Sequence, residues 1–445
     1  KKLWWTLLGL TARHVLRPAM LSGLLRQIER TVIWHHKRKQ HVFLSDTTLR
    51  DGEQMPGIRL DPEQKVAVAK ALADAGIHSI DAGSPAASAE EVEAIGRIVR
   101  QVRGPIISAH CRTLAADIDR VAGALEAARP YHKSVTLFIG VSPIHRQKKH
   151  NKSKAEIVRM SVEAIQYAKQ HFRLVTFGPE DASRAEPDYL HEIYREAIDA
   201  GATTIGFADT VGILTPGKAA DRIKRIQDSV PNMAHALLAV HFHNDLGLGT
   251  ANALASIEAG VDIVQGTING VGERAGNTAL EEVVMALQLH RDQYRVECGV
   301  EPAKLKALSR LVSRLTGFVP ALNKPVVGEG LFVTESGVHQ DGLLKDPASY
   351  LPFLPADVGA GPIQLVLGKH SGRRAVRHLA ERFEIALNDE HVQRVVRHLK
   401  GKPARKSYRT EEDFRTLLAE VFPEFRSEPG AADRPAGPRE GGAVQ

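Results

Sequence analysis

His241 and His243 sit one residue apart in His241-Phe242-His243-Asn244-Asp245, directly after the apolar run Ala236-Leu237-Leu238-Ala239-Val240. That run reads as a buried strand, and side chains alternate faces along a strand, so the two imidazoles point the same way about 6–7 Å apart. Such a pair at the carboxyl end of a buried strand suits a divalent metal. The competing reading is two satisfied histidines, one lining a polar pocket. Near the start of the chain, Val42-Phe43-Leu44 runs into Ser45-Asp46-Thr47-Thr48-Leu49-Arg50-Asp51-Gly52-Glu53-Gln54. A strand ending in Arg-Asp-Gly offers a hard carboxylate and a fixed cation at one rim. Imidazole nitrogen plus carboxylate oxygen, without thiolate, fits Mg, Mn or Zn far better than Cu or an iron–sulfur cluster.

These residues need a scaffold that brings distant strand ends together. From residue 41 onward short apolar runs alternate with longer amphipathic ones, the strand-like runs being 42–48, 79–84, 105–111, 134–140, 174–178, 204–208, 237–243 and 264–268. The segment 62–75 between the first two is helix-like, with Asp61 as its cap and Gly76 as its stop. Eight strand-then-helix units over about 250 residues predict an α/β fold, a closed (β/α)8 TIM barrel over 41–300. A doubly wound open sheet is the alternative, weakened by the lack of a Gly-rich dinucleotide turn. In a barrel, Asp51, His241 and His243 all fall at the strand carboxyl ends, where active sites gather.

Beyond the barrel, 301–317 reads as a helix, 321–366 is broken by Gly and Pro, 372–399 is helical again and 411–421 gives a short helix. A smaller, mainly helical region over 301–422 is therefore expected, followed by a tail over 423–445 whose Gly-, Pro- and Ala-rich composition from Ser427 predicts disorder. The Lys400–406 basic run reads as a solvated connection. The net charge of +7 belongs to residues 1–40, which carry nine Lys/Arg against Glu29 alone. The remaining residues are near neutral, so nothing points to nucleic acid. The basic N-terminal extension reads as an upstream segment of little consequence, with a transit peptide or a surface-seeking segment as alternatives. No apolar run approaches a membrane span, and two cysteines exclude a disulfide scaffold and favour a cytoplasmic setting.

Seven segments taken in order resemble the metal-dependent 2-oxo-acid acetyltransferases, the family of 2-isopropylmalate, homocitrate and citramalate synthases. They are the Asp46–54 stretch, Glu180-Asp181-Ala182-Ser183-Arg184, Ala208-Asp209-Thr210-Val211-Gly212 and the His241–247 stretch. Asn269-Gly270-Val271-Gly272-Glu273-Arg274-Ala275-Gly276-Asn277, Ser336-Gly337-Val338-His339-Gln340-Asp341-Gly342 and Leu367-Gly368-Lys369-His370-Ser371-Gly372 complete them. The resemblance covers about residues 42–422. It implies acetyl-CoA as co-substrate and a carbon–carbon bond formed between its methyl carbon and the ketone of a 2-oxo acid. Asp51, His241 and His243 would hold the metal, with Asn277 as a weaker fourth ligand. Arg50 would stabilise the developing oxyanion, its alternative being a salt bridge to Glu53 or another rim carboxylate. Glu180 matches the family's catalytic glutamate. His339 and Tyr350 would reach the active site of a partner subunit, which implies a homodimer with exchanged C-terminal segments.

Thr210 resembles the hydroxyl that grips the substrate carboxylate, against a helix cap, and Gln54 a first-loop contact. The acceptor pocket is expected to involve Ser84, His110, Thr136, Thr176, Gly178 and Gly206. Isopropylmalate synthases tend to have His, Ser and Asn where Thr136, Gly178 and Gly206 stand, and lysine-pathway homocitrate synthases an Arg where Thr176 stands. Asp81 and Ser84 replace a common Glu and an apolar residue. That lining is roomy and polar, so an acceptor with a polar or acidic tail is expected to outrun 2-oxoisovalerate. His110, His145, Arg146, Lys148 and Lys149 would supply positive charge, although Lys148 and Lys149 read more simply as solvated loop residues. The leading expectation is a short homocitrate synthase without a leucine-sensing domain. 2-Isopropylmalate synthase, or an enzyme acting on another acidic acceptor such as phosphonopyruvate, is the alternative. An acyl-CoA lyase on the same barrel is more distant, and the second-region motifs speak against it; a silent binding barrel is weakened by intact Arg50, Asp51, Glu180, His241 and His243.

Overall fold

A computed structural model describes residues 40–401 and 407–426. The expectations for the basic extension, Gln40 apart, for residues 402–406 and for the tail from 427 fall outside the described residues. The chain divides into two compact units, the first running to Pro320 and including Pro325–Val327, the second holding Ala321–Lys324 and the rest. The helix Leu305–Thr316 thus clusters with the barrel.

Eight parallel strands close into a barrel in chain order: β1 (Phe43–Asp46), β2 (Ser79–Asp81), β3 (Ile106–Arg112), β4 (Lys133–Gly140), β5 (Leu174–Glu180), β6 (Thr204–Asp209), β7 (Leu237–Phe242) and β8 (Ile263–Gly266). Closure sets Phe43 opposite Ile263 and Asp46 opposite Gly266. The first helix, Pro62–Asp74, starts on a capping box in which Asp61 accepts the Gln64 amide and Gln64 reaches back to Asp61. It stops where Gly76 takes φ +90°, and a Cβ there would lie 2.4 Å from the Gly299 carbonyl oxygen.

Several strands stop short of expectation: β2 ends at Asp81 instead of residue 84, β7 at Phe242 instead of 243, and β1 and β8 each end two residues early. After Asp46 the chain turns at once, because Thr48 gives its amide (2.9 Å) and its hydroxyl (2.7 Å) to the Asp46 carboxylate. β8 stops at Gly266, where a Cβ would meet the Thr278 carbonyl oxygen at 2.4 Å, and Asn269 follows at φ +63°.

The alternation along the strands is the reverse of a barrel packed at its centre. On β5 the outward Val175 and Phe177 are fully buried against helices, whereas the inward Leu174, Thr176, Gly178 and Glu180 keep some accessibility. β4 and β6 repeat the pattern at Thr136, Phe138, Gly206 and Ala208. Bulky branched residues normally fill such an interior; here Ile106, Leu174, Leu237 and Ile263 are joined by the small polar Ser45, Ser108, Ser134, Thr136 and Thr176, and a cavity opens at the amino ends of the strands.

In the second unit, β9 (Val333–Thr334) pairs in parallel with β10 (Gln364–Leu365). Buried Gln340 ties them by donating its amide to the Thr334 (3.0 Å) and Val366 (2.8 Å) carbonyls. The expected helix over 372–399 is two, Arg373–Arg382 and Asp389–Gly401. The break comes at Glu384, φ +56°, and lets Phe383, Ile385 and Leu387 pack on a core that includes Val376, Val392, Phe414 and Phe422. Pro423–Arg426, at the start of the expected tail, form a 3-10 turn. Among the described residues no helix is long and apolar enough to cross a membrane, and Cys111 and Cys298 are free thiols.

Candidate active site

The β1 turn presents Asp51 at the carboxyl end of the barrel, its amide bonded to the Thr47 carbonyl (2.8 Å). The Thr48 hydroxyl also accepts the Ile268 amide (2.9 Å), which fastens this turn to the loop after β8. β7 ends with His241 facing inward, and His243 follows. Their Nε2 atoms converge to 3.4 Å, and Nε2 of His241 lies 3.6 Å from Oδ2 of Asp51. One ligand atom from each of the three lies within 4.8 Å of the others. Asn277 closes the set by donating its amide to Oδ1 of Asp51 (2.8 Å) and to the Val271 carbonyl (3.0 Å).

Electrostatics favours a cation here. Burial lowers the His241 pKa to about 3 and lowers that of His243, so both rings are neutral and offer lone pairs. Burial by itself would raise Asp51, but Arg50, the two imidazoles and the Asn277 amide outweigh it and hold the carboxyl below its usual range. Nδ1 of each ring and Oδ1 of Asn277 are buried without a hydrogen bond. The converging Nε2 atoms of two neutral rings and the Asp51 carboxylate make a nitrogen and oxygen donor set that fits a bound divalent ion.

Arg50 gives Nη1 to Asp51 Oδ2 (2.7 Å) and Nε to Asp81 Oδ2 (2.9 Å). The rim carboxylate it meets is therefore Asp81 and not Glu53, which pairs instead with the buried Lys65 (2.6 Å). Burial raises the Asp81 pKa against the pull of Arg50.

Glu180 ends β5. Lys149 donates to its Oε2 at 2.5 Å, and Nδ1 of His145 lies 3.7 Å away. Both come from a single π-helical turn, His145–His150, of a kind often found at functional sites. Gly140 makes room for it, since a Cβ there would lie 2.6 Å from the His145 ring. Lys149 is exposed, as the reading of a solvated loop residue had it, and it also pairs with Glu180, a partner 31 positions away that could not be seen locally. Arg146 is buried and holds Glu186 with both terminal nitrogens, at 2.9 and 2.8 Å.

The other expected residues are placed as follows. Thr210 caps no helix; its hydroxyl oxygen accepts the Asp181 amide (2.8 Å), leaving its proton free to be donated. Gln54 is exposed at the end of the Gly52–Gln54 turn. The Ser84 amide donates to Glu91 Oε2 (3.2 Å). His110 stacks on Phe138, ring centroids 4.4 Å apart. Burial, with Arg50 adding to it, lowers the His110 pKa well below the usual value, so it is neutral and not the cation expected. Thr136 and Thr176 line a cavity whose mouth lies at the amino ends of the strands. In the second unit His339 and Tyr350 lie face to face at 4.2 Å, and Tyr350 is 44% exposed. Gly342 admits that tyrosine, for a Cβ would come within 2.4 Å of its ring.

Residues 41–312 match the HMGL-like family, and 326–407 match the homocitrate synthase post-HMGL domain-like family. A 2-isopropylmalate synthase of Lysinibacillus sphaericus is 43% identical over 383 residues, 86% of this chain and 74% of that protein. The chain belongs to the homocitrate and 2-isopropylmalate synthase family. Its members are acyltransferases, and so is this enzyme. A second relative in the family, the 2-isopropylmalate synthase of Pyrococcus furiosus, is 44% identical over 86% of this chain and 76% of its own length. Hydroxymethylglutaryl-CoA lyase from Pseudomonas aeruginosa shares the fold, with a TM-score of 0.55 and 23% identity over 64% of this chain and 95% of that one. So does the carboxyl transferase domain of Rhizobium etli pyruvate carboxylase, TM-score 0.51 and 18% identity, covering 66% of this chain and 53% of that one.

Proposed function

We propose that the enzyme condenses acetyl-CoA with a 2-oxo acid whose tail is uncharged, a reaction of the 2-isopropylmalate synthase type. The observation that carries this reading is the buried Asp51–His241–His243 cluster beside Arg50 at the strand ends, in a chain 43% identical to an enzyme of that name. The expected homocitrate reaction is set aside as the leading one. An acidic tail needs a cation to offset its desolvation. His110 is neutral, Arg146 holds Glu186 and Lys149 holds Glu180. The relatives point the same way.

A divalent ion held by Asp51, His241 and His243, with Asn277 behind them, would polarise the acceptor ketone and offset the charge developing on its oxygen. Arg50, fixed between two carboxylates, adds a preorganised positive charge next to that position. Glu180 takes a proton from the thioester methyl group, and Lys149 fixes the carboxylate that must receive it. The resulting carbanion attacks the ketone carbon, and hydrolysis of the thioester then frees CoA. Thr210 has a hydroxyl proton to give to the acceptor carboxylate. His339 and Tyr350 complete the site of a partner subunit in a homodimer.

The test is release of CoA thiol from acetyl-CoA with 2-oxoisovalerate, pyruvate, 2-oxoglutarate, oxaloacetate or phosphonopyruvate. The expected result is a higher kcat/KM for 2-oxoisovalerate than for 2-oxoglutarate. The reverse order would restore the homocitrate reading, and no thiol release with any acceptor would overturn the condensation itself.

A further inference from the structure

We propose that Lys65 is a positioning residue for Arg50: with Glu53 and Glu91 it sets the spacing of the two strand ends that hold the guanidinium. This rests on the condensation proposed above and adds a residue to its machinery.

Arg50 is held from two sides. Nη1 goes to Asp51 in the turn after β1, and Nε goes to Asp81 at the end of β2. Among the described residues no protein acceptor takes Nη2, so that nitrogen is left for the oxygen on which charge develops. Where it points depends on how the two strand ends stand relative to one another. β1 and β2 pair only at Ser45 with Ser79 and at Asp46 with Ile80, so the ladder stops before either carboxylate.

The missing tie comes from the helix Pro62–Asp74. Lys65, its fourth residue, has a side chain with no exposed surface. Its Nζ lies 2.6 Å from Oε2 of Glu53 and 3.4 Å from the Leu49 carbonyl oxygen. Leu49 and Glu53 flank Arg50-Asp51-Gly52 in the chain. The same Nζ donates to Oε1 of Glu91, on the helix Ala89–Gln101. Oε2 of Glu91 accepts the Ser84 amide (3.2 Å) in the loop after β2. Gly83 lets that carboxylate in, for it has φ +138° and a Cβ there would collide with Oε2 of Glu91. The Gly83 amide in turn donates to the Asp81 carboxylate. One ammonium therefore binds the turn carrying Arg50 and Asp51 to the loop that follows Asp81.

Packing alone does not require this arrangement. A buried ammonium between carboxylates bears a large desolvation cost, and apolar side chains of similar volume often hold such a place as stably. What they lack is direction, since hydrogen bonds fix a distance and an angle. A displacement of about 1 Å caused by a change outside the reacting groups can cost on the order of a hundredfold in rate.

The experiment measures kcat of the full chain by CoA thiol release in the double variant Lys65→Met, Glu91→Met. It is run with native Arg50 and with Arg50→Lys, whose single ammonium cannot replace the planar fork that the tie would place. Removing both partners leaves no unpaired charge between them, so Tm should hold or rise. Glu53, left without Lys65, is partly exposed and keeps the Leu60 amide (2.9 Å). The expected result is a kcat about a hundredfold lower with native Arg50. In Arg50→Lys the further loss should stay below about threefold. Glu91→Gln is the milder variant, because glutamine has one acceptor oxygen where Glu91 uses two. It should lower kcat about tenfold, again only where Arg50 is present. A mere loss of folded enzyme lowers both backgrounds alike, so equal losses overturn the proposal. A native kcat in either variant also overturns it, and the condensation stands in both cases. Silence of the native chain with every acceptor overturns the condensation and this role together.

Discussion

Asp46 is fully buried, yet it lies in the segment that delivers Asp51, the proposed metal ligand. Burial raises its pKa to about 7 against two bonds from Thr48, and Asp81 and Glu281 push the same way. An unfolded Asp titrates near ~3.9. The native state therefore favours the protonated form, so the stabilisation is full below that value and is lost as pH rises through about 7. Asp46→Asn should lose this dependence, its Tm gaining on the native protein between about pH 5 and pH 8. Parallel Tm curves for the two proteins would contradict the assignment. Asp51 and His241 make a different prediction. Chelator-treated enzyme should stop turning over and recover with Mg, Mn or Zn. Asp51→Asn or His241→Ala should lower both bound metal and kcat, the latter on the order of a thousandfold. Full turnover of metal-free protein would end the metal assignment.

Two loops hold the supports of the proposed ligands and of the proposed base. In the loop after β8, Gly272 has φ +154°, and a Cβ there would lie 2.1 Å from Nδ2 of Asn277 and 3.0 Å from Oδ1 of Asp51. Gly272→Ala should displace Asn277 from Asp51 and weaken metal affinity about 10–100-fold, the usual effect of disturbing a ligand's support. Titration of metal into the refolded variant checks this, with unchanged affinity as the contrary result. The π-helical turn after β4 brings Lys149 to Glu180. Lys149→Met should lower kcat about tenfold while leaving metal affinity intact, and Lys149→Arg should recover part of it. A KM effect alone would make Lys149 a substrate contact.

At the scale of the whole molecule, the second unit has its own core and carries the His339–Tyr350 ring pair. Gln340 and Ser371 within its two motifs are structural: Gln340 ties β9 to β10, and the Ser371 hydroxyl donates to carbonyls at Glu335 (3.3 Å) and Val366 (3.2 Å). His339 is exposed, beside Tyr350. If the pair serves a partner's site, Glu180→Gln and His339→Ala chains, each inactive alone, should regain activity when mixed. One intact site per mixed dimer is expected. Mixed dimers that form but stay inactive would place the pair's action within its own chain.

The barrel was legible in the sequence because strand-then-helix alternation is local, and so was the Arg50-Asp51 and His241/His243 pairing with strand ends. Pitch and pleat alone set which side chains share a face. The resemblance supplied Glu180, Thr210 and Asn277 as expectations. What it could not supply was the charge state of the pocket. His110 and Arg146 read as cations for an acidic acceptor, yet burial neutralises the first and a carboxylate holds the second. Lys149 meets its carboxylate 31 positions away, Arg50 meets Asp81 across the same separation, and Asn277 meets Asp51 across 226. The cavity at the amino ends of the strands was hidden for the same reason, since small residues on separate strands make a cavity only once the barrel closes. Residue types and their periodicity follow from the chain; desolvation and pairing, which decide what those residues can hold, follow from its closure.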